Sequence, residues 1–126
     1  MSAPGGQRSP KIAVVGPCAS GKSTLVARLL ENGYDAHAIA QEHSAVRDLW
    51  KSRKPDLLIA LDVSLEVVRQ RRSPDWLEAV YERQHQRLKN AYAAADIIID
   101  TAENDADGVY AMAEDLIRDF ASDEDS

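Results

Sequence analysis

Gly16-Pro17-Cys18-Ala19-Ser20-Gly21-Lys22-Ser23 brings together residue types that handle phosphate. A glycine, four residues and then Gly-Lys-Ser is the phosphate-loop spacing. Glycine lets the backbone close around an anion. The first amides of a helix have no intrahelical partner and point at whatever lies in front of them. Lys22 offers a mobile positive charge for β- and γ-phosphates, and the Ser23 hydroxyl is a ligand for Mg2+. This chemistry needs a strand just before the loop and a helix just after it. Ile12-Ala13-Val14-Val15 reads as a buried strand, and Leu25, Val26, Leu29 and Leu30 recur at helical spacing. Gly16, Ala19, Ser20, Gly21, Lys22, Ser23 and Thr24 are therefore the expected nucleotide-binding residues.

A phosphate-bound Mg2+ calls for a carboxylate besides Ser23, commonly at the end of an apolar strand. Asp62 follows such a strand, Leu57 to Leu61, and Glu42 follows a weaker one. Both are candidates for the metal, and Glu42 also for the base that takes a proton from an acceptor hydroxyl. Phosphoryl transfer needs positive charge around the moving group. Arg71 and Arg72 end a helix before Ser73-Pro74, where a mobile flap can carry them. Arg83 and Arg87, four apart, share one helical face and are expected to clamp the bound nucleotide. Cys18 is read as a small filler of the loop, His43 as an incidental loop residue and His85 as a surface residue. Trp50 and Trp76 are expected in the core.

These residues must be positioned by a regular frame. Strand and helix signals alternate, which implies a parallel sheet covered by helices. Strands are expected at about Lys11–Val15, Asp35–Ala40, Asp56–Asp62 and Ile97–Ile99. Helix one runs from Lys22 to Glu31 and stops at Asn32-Gly33. Ser44 is expected to cap a short helix with Val46, Leu49 and Trp50 on one face, ended by Lys54-Pro55. Ser64 is expected to cap the next helix. Asp75-Trp76-Leu77-Glu78 has capping-box spacing and opens a long helix to about Ala94. The last helix presents Val109, Met112, Leu116, Ile117 and Phe120 to the sheet. Four strands and about five helices result, with all strand C-termini at the edge that holds the phosphate loop.

The 126 residues suffice for one core, here residues 10–121, between a tail at 1–9 and an acidic tail at 122–126. A net charge of −6 argues against nucleic acid as a partner. No apolar run reaches the ~20 residues of a membrane helix. A single cysteine and an N-terminus without an apolar signal core fit a cytoplasmic location.

Together these residues resemble the P-loop kinase family, the nucleoside, nucleotide and small-molecule kinases related to adenylate kinase. Leu58 to Arg72 is similar to that family's fourth strand and the helix leading into its arginine-bearing lid. Arg71 and Arg72 match the start of the lid, and Arg83 or Arg87 its return helix. Ala95 to Thr101 is similar to the last strand, whose following loop borders the nucleobase, so Thr101 joins the nucleotide site. The resemblance implies a three-layer P-loop fold with a reduced, mostly parallel four-stranded sheet. It also implies Mg-dependent transfer of the γ-phosphoryl group of ATP to a small molecule. Lys22, Arg71, Arg72 and Glu42 would be catalytic. The chain is shorter than typical members. Too few residues separate the second strand from Asp56 to hold the usual acceptor-binding helices and a separate third strand. That shift favours Glu42 over Asp62 at the metal. It also makes a homodimer that completes the pocket a reasonable expectation, and a nucleotide-binding module with little transfer activity the alternative function.

Overall fold

Ile12, Ala13, Val14 and Val15 have no polar side chain to offer water, and all four are buried on a strand, β1 (Lys11–Val15). β3 (Leu57–Asp62) is likewise apolar and buried through Leu61. In the computed structural model, which describes residues 10–125, these two strands are the centre of a four-stranded, all-parallel sheet. Its order is β2-β1-β3-β4, with β2 (Asp35–Ala38) and β4 (Ile97–Asp100) at the edges. Continuous apolar runs mark strands covered on both faces. The edges need less cover, and Ile98 of β4 stands half exposed.

Alternate side chains serve two cores. Ile12, Val14, Ile59 and Leu61 face α1 (Lys22–Glu31) and α4 (Ala106–Asp125), meeting Leu25, Leu29, Val109 and Ile117. Ala13, Val15, Leu58 and Ala60 face the other way and pack on Leu88 and Ala91 of α3 (Glu78–Ala94). A short α2 (Leu65–Arg71) lies between β3 and α3. Its cap is the expected one: the Ser64 hydroxyl accepts from the Val67 amide. Among the described residues no helix is long and apolar enough to cross a membrane.

Several expectations give way. No α-helix follows Ser44. The stretch holds two 3-10 turns, Gln41–His43 and Leu49–Arg53, and Ser44 closes the first of them. Fully buried Gln41 sets this shape: its amide donates to the Val46 carbonyl at 2.6 Å, and its oxygen accepts from the Trp50 amide at 3.1 Å. Leu49 and Trp50 pack on the second core, but Val46 is exposed. The expected Asp75 capping box is not formed. A turn from Ser73 to Trp76 delays the helix, whose N-cap is Leu77 without a side-chain bond. On α4, Ala113 takes the buried place expected of Met112. That helix runs on to Asp125, through the residues expected as an acidic tail, and the expected tail at 1–9 lies outside the described residues.

The chain leaves β2 at one edge and re-enters beyond β1 as β3, so the connections diverge between β1 and β3. Ligand sites of open parallel sheets lie outside the strand C-termini at such a point. The loops after all four strands gather there.

Candidate functional site

Residues Gly16–Gly21 leave β1 and turn tightly into α1. Ala19 (φ 67°) and Gly21 (φ 88°) are both left-handed, a conformation that an alanine adopts only under strain. The first helical bond of α1 runs from the Leu25 amide to the Gly21 carbonyl, and no side chain caps the helix. Among the described residues the amides of Gly21, Lys22, Ser23 and Thr24 consequently have no partner. The buried Ser20 hydroxyl has none either. Consecutive amides left open in this way form an anion-binding concavity.

Gly16 is held close to β3. A Cβ there would lie 2.6 Å from Ser20 Oγ, 3.1 Å from Leu61 Cβ and 3.2 Å from the Leu61 carbonyl oxygen. The serine can rotate but the strand cannot retreat. Gly16→Ala is expected to cost about 1–3 kcal/mol in urea unfolding, the range of overpacking in a filled interior.

Lys22 points back across the loop. Its ammonium donates to both oxygens of Glu42, at 2.7 and 2.6 Å, and to the Ile39 carbonyl at 3.2 Å. Glu42 is only 4 % exposed. Lys22, Ser23, Thr24, Glu42, Arg71 and Arg72 line one cleft of about 420 Å3 above the loop. Arg71 crosses its edge, donating to the Ala19 carbonyl at 2.7 Å and to the Thr101 carbonyl at 2.8 Å. Arg71 and Thr101 also line a second, smaller cavity of about 180 Å3, with Ser20, Gly21 and Asn104. Thr101 is tied to β3 in turn, through its amide to the Asp62 carbonyl.

Of the two candidate carboxylates, only Glu42 lies in this cleft. Asp62 accepts from the Val63 amide and from His85 instead. Arg83 and Arg87 lie on α3 and line neither cavity. His85 is not a free surface residue: Nδ1 lies 3.1 Å from the Tyr81 carbonyl and Nε2 3.1 Å from Asp62 Oδ1. Only the imidazolium donates from both nitrogens. The bond from His85 holds the Asp62 carboxyl below its ordinary value, and the same bond, outweighing burial, raises His85. The depressed carboxyl stabilises the fold above its unfolded pKa of about 3.9, and the raised imidazole does so below its unfolded pKa of about 6.5. That stabilisation fades as pH falls through the lowered Asp62 value or rises through the raised His85 value. Wild type should therefore exceed His85→Gln in urea stability most between about pH 4 and 6.5. The margin stays under about 1 kcal/mol because Asp62 is half exposed and His85 partly so, and it shrinks in alkali.

Two further residues escaped the sequence reading. Gln84 of α3, 5 % exposed, clamps the loop at Cys18: its oxygen accepts from the Cys18 amide at 3.0 Å and its nitrogen donates to the sulfur at 3.2 Å. Tyr92 donates to the Leu61 carbonyl at 2.9 Å, and burial pushes its hydroxyl far above the ordinary tyrosine range. Neither residue carries a local signal, because each acts on a strand end distant in sequence.

The chain is thus an α/β protein whose parallel sheet gathers Lys22, Glu42 and Arg71 at the strand C-termini. It matches no protein-family model and no curated protein.

Proposed function

We propose that the protein is a P-loop phosphotransferase that binds ATP with Mg2+ and passes the γ-phosphoryl group to a small molecule. The observation that carries this reading is the run of open amides at Gly21–Thr24, with the Lys22 ammonium beside them. That cradle suits the phosphates, and an adjoining hydroxyl and carboxylate, Ser23 and Glu42, suit Mg2+. Bound Mg2+ supplies charge neutralisation across the phosphate oxygens. Lys22 moves its charge from Glu42 to the phosphates. Glu42, relieved of Lys22, accepts a proton from the acceptor hydroxyl or holds the metal. Arg71 and Arg72 place positive charge at the cleft mouth, where the phosphoryl group departs. The smaller cavity at Thr101 receives the base.

The test is incubation with γ-labelled Mg-ATP and a broad set of small metabolites. A labelled product that disappears in Lys22→Ala is expected. Tight ATP binding without any product would overturn transfer and leave a second reading, a nucleotide-binding module. One observation favours that alternative: between β2 and β3 there are only two 3-10 turns, and no strand or α-helix to build an acceptor site.

A further inference from the structure

We propose that Cys18, His43 and Glu42 form a binding site for Zn2+ in the nucleotide-free protein, sharing Glu42 with the phosphate site. The three come from the loop after β1 and the turn after β2, neighbouring strands whose C-termini converge. Cys18 Sγ lies 3.7 Å from His43 Nε2, and His43 Nε2 lies 3.6 Å from Glu42 Oε2. One ligand atom from each falls within 4.8 Å of the others. Zinc bonds of about 2.3 Å to sulfur and 2.0–2.2 Å to nitrogen and oxygen put tetrahedral edges at about 3.4–3.6 Å. The two separations from His43 are already near those edges, and Cys18 to Glu42 must close from no more than 4.8 Å.

The donor set selects the metal. Thiolate with imidazole suits Zn2+ and excludes Mg2+, which keeps to oxygen ligands. Three protein ligands leave a fourth position for water, on the side where His43 is exposed. The outer contacts orient the ligands. Gln84 donates to the Cys18 sulfur at 3.2 Å, and Lys22 holds Glu42 through Oε1 at 2.7 Å, so Oε2 can turn to the metal without freeing the carboxylate. Lys22 also lies 2.6 Å from Oε2, and its charge opposes the cation. The site is therefore weaker than a four-ligand structural zinc centre.

The protein's single cysteine makes the test direct. Co2+ added to the reduced, nucleotide-free protein is expected to give a thiolate-to-cobalt charge-transfer band at one equivalent, which Zn2+ abolishes. Excess Mg2+ should leave the band unchanged. Zn2+ should also slow alkylation of Cys18 in the wild type, a reading that needs no variant. Cys18→Ser should remove the band, and both Cys18→Ser and His43→Ala should weaken Zn2+ binding by at least about tenfold, the lower bound even for outer contacts. His37→Ala, away from the cleft, should match the wild type. Absence of the band, or unchanged Zn2+ affinity in Cys18→Ser or His43→Ala, overturns the proposal. Because nucleotide is absent throughout, neither result depends on phosphoryl transfer.

Discussion

Lys22→Met is expected to lower the stability of the protein by about 3 kcal/mol, the cost of removing one partner of a buried ion pair. Glu42 sits 5 % exposed with both oxygens on the Lys22 ammonium. Without Lys22 the nearly buried carboxylate loses the donor that both its oxygens share. The reverse change is milder. In Glu42→Gln the ammonium keeps an acceptor in the amide and another in the Ile39 carbonyl, and it is itself 13 % exposed. Lys22→Met with Glu42→Gln should therefore recover most of the loss, since neither charge is then left alone. Urea unfolding of the four proteins measures the coupling. Additive losses, with the double variant as destabilised as the two single variants together, would mean that the pair is solvated and contributes little.

The second large effect is expected at Arg71. Arg71→Ala should lower turnover of Mg-ATP by about 10³, the lower end for arginines that stabilise a departing phosphoryl group. The reason lies in its position as much as its charge. Its guanidinium bonds the Ala19 carbonyl in the loop and the Thr101 carbonyl after β4, so the two cavity walls are joined through one side chain. Arg71→Lys keeps the charge and loses the fork, and should fall between wild type and alanine. Arg72 lines the same cleft, but its side chain makes no hydrogen bond among the described residues; Arg72→Ala should cost less. An Arg71→Ala protein with wild-type turnover would remove the arginine from the mechanism.

Much of this frame is legible in the chain. β1 and β3 are continuous apolar runs, a pattern only a doubly covered strand needs, and the Gly16–Ser23 spacing marks the turn between β1 and α1. Local chemistry also sets the Ser64 cap. The misreadings have one cause. Where a segment takes its shape from a distant partner, local pattern misleads. Residues 44–53 resemble a short amphipathic helix, yet Gln41 draws their backbone into 3-10 turns. Asp75 and Glu78 have the right spacing for a box, but the Ser73–Trp76 turn puts the helix start past Asp75. His85 appears free because Asp62 is twenty-three residues away. The residues alone leave both Glu42 and Asp62 as candidates for the same reason. Only tertiary packing brings Glu42 to Lys22 and turns Asp62 toward α3.

Calorimetric titration of Mg-ATP into the wild type and Lys22→Ala is the most direct measurement of phosphate binding by this loop. One-to-one binding that is lost or weakened at least about 100-fold, or roughly 2.7 kcal/mol, in the variant is expected. No heat at millimolar ATP, or equal affinity in the two proteins, would contradict a nucleotide site at Gly16–Ser23.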